Sequence, residues 1–215
     1  SSRPSSSCEQ GRGALMIGMD AFGLCGGSVA GADFRTLAEA AGTAGFRFIT
    51  LWPSHFADAL ASGMTVPEMR SILADKQVSV SELDTLCTWI PIDAGDGGIA
   101  SSFYRYDESD FFRIADAIGA RSLNVIHASS LAIERAQLVD LLAALCERAA
   151  QHELVVSVEF MAWSPVCDLG AAVDLVRATG RKDCGVNVDT WHHFRTGGSL
   201  DELAKLKASD IAGIG

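Results

Sequence analysis

Two short apolar runs in the second half of the chain each end abruptly in a carboxylate. Residues 154–158 read Leu-Val-Val-Ser-Val and stop at Glu159, and residues 185–188 read Gly-Val-Asn-Val and stop at Asp189. Both runs are short, valine-rich and bounded by turn or helix signals, the signature of buried strands. Side chains alternate along a strand, so Ser157 shares a face with Glu159, and Asn187 with Asp189. An ionised carboxylate is costly to bury there without a cation or donors. Two of them in successive strand–helix units suggest one cation that serves both. His192 stands three residues after Asp189, and the sequence leaves it open as a ligand, a substrate contact or a structural donor.

The elements that must position these residues follow one repeating plan of strand, loop and helix. Strands are expected at 15–20, 46–51, 78–83, 122–127, 154–159 and 185–189, with a seventh beginning near 210. Helices are expected at 33–44, 66–76, 108–118, 131–152, 168–179 and 199–207, with Gly119 and Gly180 as stops. The longest loop should span 85–107. Alternating β and α with right-handed crossovers gives a doubly wound sheet or a (β/α)8 TIM barrel. The loop after the first strand, Gly23-Leu24-Cys25-Gly26-Gly27, is no dinucleotide fingerprint. Polar and aromatic residues gather instead after many different strands, which is how a barrel spreads its site over its C-terminal face. The expectation is therefore a (β/α)8 barrel of which about six βα units and a seventh strand are present, truncated in that strand. Residues 1–13, Ser-rich and polar, read as a flexible tail, with one barrel domain over 14–215.

The chemistry-bearing side chains share one end of these strands. All four tryptophans and four of the five histidines fall just past strand C-termini, whereas the opposite face shows nothing comparable. Trp52 and His55 follow strand two, Glu82, Asp84 and Trp89 strand three, His127 strand four, and Trp163 strand five. Trp191, His192, His193 and Arg195 follow strand six. Tryptophans can simply plug a barrel mouth and histidines can bond to backbone, so it is the collective bias that argues for a site. Trp52, Glu82, His127, Trp163, His192 and Arg195 are the candidate substrate contacts. Asp20 and His55 rank below them, and His193 is expected to face elsewhere.

Composition excludes several functions. Of 215 residues, 48% are apolar and 20% charged, which suits a globular chain with a packed core. The net charge of −10, without a run of Lys or Arg, argues against nucleic acid and against an anionic membrane surface. No apolar run reaches the roughly 18 residues a membrane span requires, and no signal peptide is evident. The six cysteines form no C-x-x-C pair and read as reduced thiols of a cytoplasmic protein. The expected partner is a small carbohydrate-like substrate, and a homo-oligomer is compatible with the composition.

The Val-Glu-Phe that closes strand five and the Val-Asp-Thr-Trp-His that closes strand six resemble the xylose isomerase-like superfamily. That group includes sugar-phosphate isomerases and epimerases, ketose 3-epimerases, inosose dehydratases and endonuclease IV. The resemblance implies a (β/α)8 barrel with one divalent ion, Mn, Mg, Co or Zn, held by carboxylates of strands five and six and by groups from strands seven and eight. It implies Glu159 as a ligand that also acts as acid/base, Asp189 as a second ligand, and His192 as a substrate contact or metal ligand. The ligand of strand seven and the acid/base of strand eight have no counterpart in this sequence. The implied activity is isomerisation or epimerisation of a sugar or sugar phosphate, by proton transfer through a metal-stabilised enediolate. A keto-sugar or keto-cyclitol dehydratase is the nearest alternative, and a non-catalytic binding protein of the same fold is a third. A nuclease fits poorly, because the charge is wrong and the histidines are too few.

Overall fold

The computed structural model describes residues 22–29, 31–93 and 104–215. Seven parallel strands lie side by side in chain order: β1 (Gly23–Leu24), β2 (Phe48–Leu51), β3 (Ser79–Leu86), β4 (Ser122–Ile126), β5 (Val155–Glu159), β6 (Cys184–Val188) and β7 (Ile211–Ile214). Helices cross between them: α1 (Phe34–Ala44), α2 (Pro53–Ala61), α3 (Val66–Asp75), α4 (Glu108–Ile118), α5 (Arg135–Ala150), α6 (Leu169–Ala178), α7 (Thr190–Arg195) and α8 (Leu200–Leu203). This is the α/β architecture of a TIM barrel over seven of its strands. The sheet curls strongly enough for side chains two strands apart to meet: Ser157 Oγ on β5 donates to Glu82 Oε2 on β3 at 2.8 Å.

Local chemistry sets most element ends. Asp33, Asp107 and Asp168 cap α1, α4 and α6, each accepting backbone N–H groups of the first turn. Thr65 and Glu68 form a reciprocal capping box at α3. Gly45 and Gly119 end α1 and α4 in the left-handed conformation, at φ 87° and 73°.

The two faces of the sheet differ in kind. Ile49, Leu51, Val80, Leu83, Leu123, Val125, Val156, Val158 and Val186 are all almost fully buried. Alternation, shifted by one residue at an irregularity in β3 between Val80 and Glu82, places them on the outer face, in one core with Leu37, Met69, Phe111, Leu142 and Leu175 of the helices. The inner face carries Thr50, Glu82, Asp84, Ser122, Asn124, Ser157, Glu159 and Asn187. A barrel of this type ordinarily fills its interior with branched apolar side chains. Here it holds a hydrogen-bonded polar layer.

Gly185 marks how closely that layer is built. A Cβ at this position would lie 2.7 Å from the Ala212 nitrogen and 2.9 Å from its Cβ, both on β7. Backbone cannot yield as a side chain can. Gly185→Ala is expected to cost about 1–3 kcal/mol in chemical denaturation, the usual range for overpacking. An unchanged midpoint would mean that β7 does not press on β6.

Some of the expected bounds fall on residues that the structure does not describe, and others are corrected by it. The strand expected at 15–20 and the tail at 1–13 lie outside the described residues, and the first strand seen is β1. β3 continues to Leu86, so the long loop starts later than 85; its residues 94–103 lie outside the description. Helix α5 begins at Arg135 rather than 131, because Ser129 Oγ accepts from the Leu131 N–H at 3.2 Å and turns the chain first. Helices α2 and α7 form where the sequence pattern places no helix. Among the described residues no helix is long and apolar enough to cross a membrane, and their cysteines are free.

Candidate metal centre

Strand β5 delivers Glu159, 8% exposed, to the C-terminal end of the sheet. Strand β6 ends one residue before Asp189, which serves as N-cap of α7: its Oδ1 accepts from the His192 N–H at 2.7 Å. That bond fixes the carboxylate and begins the single helical turn that brings His192 back beside it. Glu159, Asp189 and His192 each offer a ligand atom, and these atoms lie within 4.8 Å of one another. Among the described residues they are the one such group of three.

The donor set fits a divalent ion. His192 Nδ1, like His127 Nδ1 and His193 Nδ1, is buried and has no hydrogen-bond partner; of the three only His192 stands beside two carboxylates, and an ion bound at its Nδ1 would supply the missing partner. Burial, opposed by the Asn124 donor and helped by the charges of Asp84, Asp189 and Glu82, pushes the Glu159 carboxyl up to about 8. The charges that act on it are all negative. Burial likewise raises Glu82 to about 7, opposed by the Ser157 and Ser122 hydroxyls, and raises Asp84 against donors from Asn124 and Trp52. Four acids thus face one concave surface, a setting that a cation would neutralise. Two carboxylates and an imidazole suit Mn, Mg, Co or Zn.

Comparison with known proteins identifies the family and the fold. Residues 38–214 match the family model described as "Xylose isomerase-like TIM barrel". The chain belongs to this family. No curated protein is similar enough in sequence to count as a match. Among solved structures, a xylose isomerase-like TIM barrel/4-hydroxyphenylpyruvate dioxygenase fusion protein superposes with a TM-score of 0.73 at 19% identity, over 89% of this chain and 30% of its own. The IolI protein with a bound zinc atom gives 0.72 at 14% identity, over 88% of this chain and 69% of its own. A D-psicose 3-epimerase solved in the presence of D-fructose gives 0.68 at 14%, over 89% and 71%. At such identities the likeness shows the fold. The chain spans under a third of the fusion protein and about 70% of the other two.

Within this xylose isomerase-like barrel the other sequence candidates fall into distinct roles. Glu82 lines the inner face, and Ser157 and Ser122 donate to its Oε2 at 2.8 and 3.2 Å; its hydrogen-bond partners are hydroxyls rather than a basic neighbour. Trp52 donates from Nε1 to Asp84 Oδ2 at 3.3 Å and so belongs to the lining. His127, 2% exposed, follows β4; its carbonyl accepts from Ser164 Oγ and its buried Nδ1 has no partner. Trp163 stands 62% exposed in the turn after β5. Arg195 lies with Cζ 5.6 Å from the Trp191 ring centroid, at the far end of α7.

His55, His193 and Trp89 are held by backbone groups. His55 Nδ1 accepts from the Trp52 N–H, His193 Nε2 meets the Ser199 carbonyl, and Trp89 donates to the Ile126 carbonyl. Asp20 lies outside the described residues. Sequence reasoning passed over Asn124, which donates from Nδ2 to both Glu159 Oε2 at 2.6 Å and Asp84 Oδ1 at 2.9 Å. Its one signal was a polar residue at an alternate position of an apolar strand.

Proposed function

We propose that this chain carries the site of a divalent-metal-dependent isomerase or epimerase acting on a sugar or sugar phosphate. The observation that carries the reading is the convergence of Glu159, Asp189 and His192, with an unpartnered imidazole nitrogen on His192. The ion, when bound, would act as a Lewis acid toward neighbouring carbonyl and hydroxyl oxygens and make the adjoining C–H more acidic. Asp189 and His192 hold their places through the α7 cap. Glu159 is the group that moves the proton: its carboxylate stands at the C-terminal end of β5 beside the other two ligands, within reach of a substrate held by the same ion. The polar inner face supplies hydroxyls and amides for a polyhydroxylated ligand, and the partly buried Trp52 and the exposed Trp163 could cover its ring. A zinc-bearing relative of this fold and an epimerase crystallised with a ketohexose support the same direction.

The test is metal analysis of the purified chain together with Glu159→Gln and Asp189→Asn. The expected result is about one divalent ion per wild-type chain and loss of it in both variants, since direct ligands should matter more than the supporting residues whose loss costs 10–100-fold. Full metal content in both variants would refute the site. Incorporation of solvent deuterium next to the carbonyl of a ketose, without loss of water from the product, would separate epimerisation from dehydration.

A further inference from the structure

Asn124 lies on β4 between the strands that bear Asp84 and Glu159, and is 1% exposed. Its amide nitrogen has two hydrogens. One points to Glu159 Oε2 at 2.6 Å and the other to Asp84 Oδ1 at 2.9 Å. Its Oδ1 lies 3.4 Å from Ser157 Oγ. This pattern settles the amide's orientation, because a flipped side chain would set its oxygen against two carboxylates. Asp84 is held in turn by Trp52 Nε1 at 3.3 Å, at the start of α2. One oxygen of Glu159 is thereby tied through Asn124 and Asp84 to three other elements. Among the described residues no hydrogen-bond donor reaches Glu159 Oε1, which leaves that oxygen for an ion.

We infer that Asn124 is a positioning residue that fixes the Glu159 carboxylate, through Oε2, in the orientation that lets Oε1 share an ion with Asp189 and His192. This rests on the metal-site reading above. An amide nitrogen is not itself a ligand, so Asn124 acts only through Glu159. Partners of this kind, which orient a ligating side chain, are worth 10–100-fold in metal affinity. The strand pairing makes the arrangement specific: Asn124 is in register with Ser157, and Ile126 with Glu159, so the amide reaches Glu159 diagonally across one residue pair.

The experiment is Zn²⁺ affinity of the whole chain, by competition with a chromogenic chelator, for wild type, Asn124→Leu, Asn124→Ser and Thr85→Val. Asn124→Leu keeps the size and removes both donors; Asn124→Ser stays polar should the leucine variant not fold. Thr85→Val is the control, because Thr85 Oγ1 bonds to the Asn124 carbonyl at 3.2 Å and not to Glu159. Either Asn124 variant is expected to bind Zn²⁺ about 10–100-fold more weakly, while Thr85→Val lowers the metal-free melting temperature and leaves affinity within about twofold. The inference is overturned if a folded Asn124 variant binds like wild type, or if Thr85→Val loses as much affinity as they do. A wild-type chain that takes up no Zn²⁺ would instead overturn the metal-site reading on which it stands.

Discussion

Glu82→Gln is expected to stabilise the metal-free protein by about 3 kcal/mol at pH 8 and by less than about 1 kcal/mol at pH 5. Glu82 titrates near 4.5 in an unfolded chain and is raised to about 7 in the fold, first by burial and then by the neighbouring Asp84. The folded state therefore holds its proton more tightly. A carboxyl raised in this way contributes its full stability below pH 4.5 and loses it as pH climbs through 7. Each unit of difference is worth about 1.4 kcal/mol, which gives the figure at pH 8. Glutamine mimics the protonated acid at every pH, and its Oε1 can still accept from the Ser157 and Ser122 hydroxyls. Denaturation by urea in the presence of a chelator, at both pH values, reads the effect. A variant less stable than wild type at pH 8 would show that Glu82 is ionised and partnered, and the account of the inner face would fail.

Glu82 also shows how far the sequence could be read. A carboxylate at the end of a valine-rich strand announces itself, because nothing else in such a run is charged; Glu159 and Asp189 were legible on that ground. So was the βα rhythm, whose helices begin at aspartates that cap them and end at glycines that take positive φ. Asn124 was not. Its run, Ser-Leu-Asn-Val-Ile, reads as an ordinary buried strand, and its meaning comes from acids on β3 and β5 that lie 40 and 35 residues away in the chain. Helices α2 and α7 were hidden for another reason: each opens directly off a strand end, and α7 has only six residues, too few to show a period. The gathering of tryptophans at one end of the sheet was visible, but not what each does. Trp89 is buried and bonded to β4, Trp52 supports Asp84, and Trp163 and Trp191 stand in the open.

Asp189 should separate into two functions under mutation. One oxygen caps α7, and in the proposed metal site the carboxylate's charge would hold the ion. Asparagine caps a helix about as well as aspartate, so Asp189→Asn should leave the metal-free stability nearly unchanged. It should still weaken Zn²⁺ binding by more than about 100-fold, because it removes a charged ligand rather than a supporting group. Asp189→Ala loses the cap as well, and should cost about a further 1 kcal/mol in the metal-free protein. The cap also governs His192, whose N–H it holds and whose ring stands one turn into α7. Releasing it frees that ring, so the alanine variant should bind Zn²⁺ more weakly than the asparagine variant. Equal affinities for the two would mean that α7 keeps its place without Asp189. Wild-type affinity in Asp189→Asn would remove Asp189 from the site, and with it the reason for an acid at the end of β6.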